Sequence, residues 1–206
     1  MEYTLVITGG DGPLSIPSCL NYTFVIASDS GYDRAKLLNI KPDIVLGDMD
    51  STQYKEEIIS SGAIIYPRDK DYSDTELAIR HLESDDYFLV GGGGGRLDHQ
   101  LAIMALFSRY PAPKYWFNKE DILIRCDKEI NLNLPIGTDV SILPVNETAH
   151  VSTKGLKWEL GGFKISYSSV SLSNRNEVEN IKILTNKPIF IRVSSELLSN
   201  FENMVY

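Results

Sequence analysis

Only two cysteines occur in the 206 residues, Cys19 and Cys126, far apart and in no CxxC pair. That scarcity argues against a disulfide framework and against a structural zinc site. No run of eighteen apolar residues is present. The opening Met1-Glu2-Tyr3-Thr4 has no basic stretch leading into an apolar one. Neither a membrane-spanning helix nor a signal peptide is expected, so a cytoplasmic location is the default expectation. Positive charge is also short: 20 Lys and Arg stand against 28 Asp and Glu, for a formal net charge of −8. This balance argues against nucleic acid and against an anionic membrane as partners. It does not argue against a small phosphorylated ligand, where the local field and any bound cation matter more. Low-complexity segments, flexible linkers and internal repeats are missing too. What remains is ordinary globular composition, 43% hydrophobic and 23% charged, in a chain long enough to bury a core.

The chain changes grammar part-way. Its first half alternates short β-prone runs with helix-like segments. The runs are Thr4 to Thr8, Thr23 to Ala27, Asp43 to Leu46, Ala63 to Tyr66, Tyr87 to Val90 and Tyr115 to Phe117. Between them, Tyr32 to Leu38, Gln53 to Ser60, Ser73 to Leu82 and Leu97 to Phe107 suit helices, with Ser73 or Asp74 as a cap. Repeated strand–helix units predict a mostly parallel sheet with helices on both faces. The change follows Pro111-Ala112-Pro113, and from Ile122 to the end no convincing helix is legible. Seven β-prone runs follow, and Gly137, Asn146, Gly155, Gly161-Gly162 and Asn174 read as turn formers between them. The expectation is a Rossmann-like α/β domain over residues 1–118 and an all-β, sandwich-like domain over 119–206.

Chemistry-bearing residues gather where the predicted strands of the first half end, the place where open α/β sheets bind ligands. In Gly47-Asp48-Met49-Asp50-Ser51 the glycine allows a sharp turn. Asp48 and Asp50 point the same way if the segment stays extended. Two neighbouring carboxylates repel unless a proton or cation relieves them, and a hard ion such as Mg²⁺ suits oxygen ligands. The alternative is plain capping and loop solvation. Asp69-Lys70-Asp71 with Asp74 forms a second acidic loop, and two such loops after neighbouring strands favour the cation. Gly91 to Gly95 is expected to expose backbone N–H groups to an anion beside the next helix, with Arg96 for phosphate oxygens and Asp98 as cap or ligand contact. His99 reads as a helix-surface or core histidine. Neither GxxxxGK[ST] nor a correctly placed GxGxxG is present.

These segments, in this order, resemble the thiamine pyrophosphokinase family. The similar stretches are Asp29-Ser30-Gly31, Lys41-Pro42-Asp43, Gly47 to Ser51, Asp69-Lys70-Asp71 with Asp74, and Gly94-Gly95-Arg96-Leu97-Asp98-His99. In the second half they are Gly155-Leu156-Lys157-Trp158 and Ser171-Leu172-Ser173-Asn174. The resemblance implies a catalytic α/β domain and a β-sandwich that helps bind thiamine. It also implies a homodimer with active sites at the subunit interface. The implied reaction moves pyrophosphate from ATP to the hydroxyl of thiamine, leaving AMP.

On this resemblance Asp48, Asp50, Asp71 and Asp74 are the expected catalytic residues, and Asp48, Asp50 and Asp71 hold Mg²⁺. Asp29, Ser30, Gly31, Lys70, Gly94, Gly95, Arg96 and Asp98 are expected at ATP and its phosphates. Trp158, Ser171, Ser173 and Asn174 are expected at thiamine. One departure stands out: the family more often has Asp-Gly-Gly where this chain has Asp29-Ser30-Gly31. Two other readings of the acidic loops are a different Mg²⁺-dependent nucleotide transferase and a nucleotide-binding regulatory module.

Overall fold

The computed structural model describes residues 2–205. The chain divides into two compact units, Met1–Glu120 and Asp121–Tyr206.

The first unit is an α/β layer structure. Its strands are β1 (Tyr3–Ile7), β2 (Tyr22–Ser28), β3 (Ile44–Gly47), β4 (Ile64–Ile65), β5 (Tyr87–Val90) and β6 (Tyr115–Phe117). Its helices are α1 (Gly31–Leu37), α2 (Lys55–Ser60), α3 (Asp74–Arg80) and α4 (Leu97–Leu106). The strand order is β6-β5-β1-β2-β3-β4, and every pairing is parallel. Parallel strands are covered on both faces, which calls for continuous apolar runs rather than alternation. Leu5, Val6 and Ile7 of β1 and all four residues of β5 are accordingly buried. Each such aliphatic side chain contributes about 1.5–3 kcal/mol when fully buried. The chain runs outward from β1 to β4 and then returns to β5 on the other side of β1. That reversal opens a crevice at the strands' C-terminal ends. The β1–β2 crossover, residues 8–21, is made without a helix.

Helix α3 is anchored firmly. Ser73 caps it, its side chain accepting from Glu76 N. Buried Glu76 accepts both prongs of Arg109, at 2.8 and 3.0 Å, and the Tyr110 hydroxyl at 2.9 Å. A buried carboxylate is tolerated only with such matching.

The second unit holds two antiparallel sheets. One has the order β12 (Ser171–Arg175), β9 (Asp139–Pro144), β14 (Ile189–Ser194), β7 (Asp121–Cys126). The other runs β11 (Gly161–Ile165), β10 (Ala149–Lys154), β13 (Asn180–Thr185), β8 (Glu129–Asn133). Alternation appears where it should: Ile181, Ile183 and Thr185 of β13 are buried and the intervening residues are not. Rossmann-like α/β followed by a β-sandwich is therefore the architecture, as the strand and helix patterning predicts.

Three local expectations are corrected. Asn174 is not a turn former but a buried residue of β12. Gly161 and Gly162 open strand β11 rather than separating strands. The C-terminus carries a 3-10 helix, Ser195–Asn200, and α5, Phe201–Met204, where no helix was legible. The causes are physical. Strand β12 is polar, Ser-Leu-Ser-Asn-Arg, and its register on β9 shifts between Ser171 and Asn174, with Ser173 at φ +50. Backbone pairing and side-chain hydrogen bonds hold it, not an apolar stripe. The last helices bury only Phe201 and Met204, too short a pattern for periodicity to register. Among the described residues no helix is long and apolar enough to cross a membrane.

Candidate active site

Strand β3 delivers the first acidic loop. Gly47 sits at φ +137, and a Cβ there would lie 3.0 Å from Asp74 Oδ1 and 3.2 Å from the Asp29 Cβ. Glycine thus lets three acidic segments close on one point. The next turn is not extended. Met49 takes a left-handed φ of +56, and Asp50 N donates to Asp48 Oδ1 at 3.2 Å. The Met49 side chain is 1% exposed and packs with Ala27, Val45 and Ile58. A left-handed non-glycine residue costs about 1–3 kcal/mol, and burying a methionine contributes about 1.5–3 kcal/mol. The core contact offsets the strain, and the turn presents both flanking carboxylates. Their convergence therefore comes from this turn, not from the i, i+2 geometry of an extended segment.

A third carboxylate joins them. Asp29 follows β2 directly, in a turn at φ +46, and one oxygen each of Asp29, Asp48 and Asp50 lie within 4.8 Å of one another. Asp29 is 7% exposed, and its Oδ1 is buried without a hydrogen-bond partner among the described residues. Burial pushes its carboxyl pKa up against several hydrogen bonds from Ser30 and Ser51, with nearby Asp48 adding to the rise. Asp74 is raised too, chiefly by burial. Lys70 lies between the acidic segments, its Nζ 2.7 Å from Asp48 Oδ2 and 3.3 Å from Asp74 Oδ1. For Asp48 burial pushes upward, but the Lys70 and Asp50 hydrogen bonds outweigh it and hold the pKa below the usual value. Arg68 Nε reaches Asp50 Oδ2 at 3.0 Å. Three carboxylates, one with an unmatched buried oxygen, suit a hard divalent cation. Asp71 is exposed and is not one of the three.

The glycine run corrects an expectation. Its amides do not stand open as a set. Gly91 N donates to Phe117 O, Gly92 N to Gly9 O, and Gly93 N to Asp11 O, at 2.7–2.9 Å. Gly93 O accepts in turn from Asp11 N. A Cβ on Gly91 would fall 2.2 Å from Thr8 O, and one on Gly10 would fall 2.9 Å from Gly93 O. These glycines let two loops zip together at the crevice. Only Gly94 and Gly95, exposed at φ +63 and +61, keep amides that no hydrogen bond occupies among the described residues. Arg96 follows as the N-cap of α4, forked onto Asp98 with Nε–Oδ1 at 3.1 Å and Nη2–Oδ2 at 2.5 Å.

Together these loops line a cavity of about 760 Å³, within the range of small-molecule sites. Asp29, Ser30, Asp50, Lys70, Asp74, Gly94, Gly95, Arg96, Asp98 and His99 all face it. Sequence reasoning missed Thr8, Asp11, Arg68 and Thr75, which line it too. Thr8 is the buried hub of the floor: its Oγ1 is 2.6 Å from that of Thr75 and 3.1 Å from Ser28 Oγ, which donates to it. A strand-end Thr followed by Gly9-Gly10-Asp11 was the available signal. Ser30 sits at φ −64, ψ −2, open to any residue, so its substitution for glycine asks nothing of the backbone. Gly31 is more constrained, since a Cβ there would lie 2.1 Å from Ile7 O.

The remaining expected residues belong to the second unit. Trp158 is 57% exposed, with Lys157 Nζ 4.9 Å from its ring centroid. Ser171 and Ser173 lie on β12, and Ser173 N donates to Ser141 Oγ. Asn174 is 2% exposed, and its amide is bonded to the Trp158 backbone.

Comparison with known families meets this geometry unit by unit. Residues 18–118 match the family model "Thiamin pyrophosphokinase, catalytic domain". Residues 122–190 match "Thiamin pyrophosphokinase, vitamin B1 binding domain". The chain belongs to the thiamin pyrophosphokinase family. Family relatives are distant in sequence. Thiamine pyrophosphokinase 1 of Oryza sativa subsp. japonica is 28% identical over 178 residues, 76% of this chain and 67% of its own. Thiamine pyrophosphokinase 2 of Arabidopsis thaliana is 25% identical over 177 residues, 75% of this chain and 66% of its own. The match thus spans about two thirds of these plant proteins. Family resemblance in fold is more extensive. The crystal structure of thiamine pyrophosphokinase from Bacillus subtilis superposes with a TM-score of 0.72 at 23% identity, covering 93% of this chain and 98% of that one. The yeast thiamin pyrophosphokinase structure gives 0.66 at 18%, covering 96% and 88%.

Proposed function

We propose that this chain transfers a pyrophosphoryl group from ATP to the hydroxyl of thiamine, giving thiamine diphosphate and AMP. The observation that carries the reading is the convergence of Asp29, Asp48 and Asp50, with one Asp29 oxygen buried and unmatched among the described residues, at the strand ends of the unit that matches the catalytic model. In this reading residues 1–118 form the catalytic ATP- and Mg²⁺-binding domain and residues 119–206 the thiamine-binding one.

Asp29, Asp48 and Asp50 hold Mg²⁺, with Asp29 taking the place expected for Asp71. The ion supplies charge neutralisation at the phosphates. Lys70, Arg68 and Arg96 bind phosphate oxygens, joined by the free amides of Gly94 and Gly95. Asp74 faces the cavity with its proton affinity raised by burial, and it orients and receives the thiamine hydroxyl proton. Attack is in line at the β-phosphorus, and most of the catalysis is positioning and electrostatics. Exposed Trp158 stacks on the cationic aromatic rings of thiamine, beside Ser171 and Ser173.

The active form is a homodimer with active sites at the subunit interface, working in the cytoplasm. The exposed Leu97 and Leu101 of α4, at 68% and 58%, are apolar surface that a second copy covers. Light scattering behind size exclusion reads this directly as twice the chain mass.

Incubation with ATP, Mg²⁺ and thiamine should yield AMP and thiamine diphosphate in equal amounts. ADP with thiamine monophosphate would sink the reaction. A nucleotide-responsive protein that makes neither product would point to the regulatory reading.

A further inference from the structure

The loop that carries Trp158, residues 155–160, is bonded almost throughout. Glu159 knots it from within: Oε1 accepts from Gly155 N at 2.5 Å and Leu156 N at 3.1 Å, and Oε2 accepts from Thr153 Oγ1 at 2.6 Å. Strand β12 holds it from outside. Lys157 N donates to Arg175 O at 2.7 Å, and Leu156, 3% exposed, bridges Asn176. At the centre is Asn174. Its Oδ1 accepts from Trp158 N at 3.2 Å and from Arg175 N at 2.8 Å, and its Nδ2 donates to Trp158 O at 2.7 Å. Both polar groups of the Trp158 backbone therefore end on one buried side chain, while the indole stands 57% exposed.

From this clamp we infer that Asn174 is a positioning residue: it fixes the Trp158 backbone so that the indole is presented as a preformed platform for the aromatic rings of the acceptor. The inference rests on the reading of Trp158 given above. Asn174 itself does not touch the acceptor. It is 2% exposed, and both acceptor directions of its carbonyl are occupied. An exposed aromatic ring pays an ordering cost on binding unless its backbone is already held, and the clamp removes that cost.

The test compares Asn174→Ala with Asn176→Ala. Asn176 is equally buried, at 1%, and donates to Leu134 O and Val178 O without touching Trp158. It reports what loss of a buried amide does to the fold alone. In the Asn174→Ala enzyme the KM for thiamine rises roughly tenfold while kcat and the KM for ATP stay close to wild type. Asn176→Ala lowers the melting temperature but leaves the KM for thiamine unchanged. A second arm uses Trp116→Phe, so that Trp158 is the one remaining tryptophan. There Asn174→Ala lowers the fluorescence anisotropy of Trp158 and raises its acrylamide quenching, and Asn176→Ala does neither. Should Asn174→Ala not fold, Asn174→Asp keeps the acceptor for Trp158 N–H, loses the donor to Trp158 O, and is expected to show the same split in smaller measure.

Unchanged thiamine KM with unchanged anisotropy would overturn the inference, as would equal effects of the two alanines on both readouts. The anisotropy arm needs no substrate. It decides the clamp even if the wild-type protein made no AMP, the result that would sink the reading of the activity instead.

Discussion

The acidic loop after β3 and the glycine run after β5 look equally functional in sequence, yet the fold uses them differently. The acidic loop puts its one apolar residue, Met49, into the core and brings its carboxylates together with Asp29, Asp50 facing the cavity and Asp48 half-buried against Lys70. The glycine run turns three of its amides inward, onto Gly9, Asp11 and Phe117. One loop gathers its carboxylates at a single point, where Lys70 and Arg68 meet them. The other uses most of its amides to seal two backbones together and keeps only its last two glycines open. Three converging carboxylates repel one another, and the nearby cations Lys70 and Arg68 relieve only part of that repulsion, so their convergence suits a further cation. Glycines have two uses, close packing and ligand approach, and composition does not separate them.

The largest test of this contrast falls on the acidic loop. Asp48→Asn or Asp50→Asn should lower turnover on the order of 100-fold or more with the fold retained. Steady-state AMP release beside a circular dichroism melt measures both. Near-normal turnover would return the loop to a solvated turn. Next comes the glycine run. Gly91→Ala places a Cβ 2.2 Å from Thr8 O at φ +98 and should cost about 3 kcal/mol or more of stability. Gly95→Ala meets nothing within 4 Å and should cost about 1 kcal/mol for its left-handed φ alone. Urea melts of the two variants separate packing glycine from open glycine, and equal losses would break the distinction.

Arg96→Ala should raise the KM for ATP by a few-fold to roughly tenfold, since an exposed, forked guanidinium contributes modestly. Thermal stability should be unaffected. An unchanged KM would leave Arg96 as a partner of Asp98 only. The smallest effect concerns pH. Asp29 has a folded pKa raised above 3.8, so in the window just above that value the folded chain binds more protons than the unfolded one. Stability then falls as pH rises through the window. Asp48 is lowered and works the other way: its contribution is present above its unfolded pKa and is lost as pH falls through the folded one. Asp29→Asn should therefore raise the melting temperature of the chelator-treated protein at pH 7 and change it little near pH 4. The same substitution should abolish the rise that Mg²⁺ produces in the parent. A pH-independent effect would show that the buried charge is not what Asp29 contributes.

Much of this was legible in sequence because the signals are local. Apolar runs such as Leu5-Val6-Ile7 and Tyr87 to Val90 identify parallel strands buried on both faces. The Asp-rich turns after such strands identify where ligand chemistry belongs. Other features were illegible because their causes are remote. Asp29 joins Asp48 and Asp50 through the neighbouring positions of β2 and β3 in the sheet. Thr8 reaches Thr75 across 67 residues. Strand β12 carries no apolar alternation, and Asn174 read as a turn because its reason for being buried is the backbone of Trp158.

By itself, then, the sequence determined the change from α/β to β grammar, the location of the acidic chemistry at strand ends, and the family. Those follow from patterns within a few residues, which secondary structure converts directly into faces and turns. Tertiary structure alone decided which carboxylates meet and which glycine amides remain open, and it decided that Asn174 serves a tryptophan. Each of those depends on which strands neighbour one another and how closely their loops approach, distances that no spacing along the chain encodes.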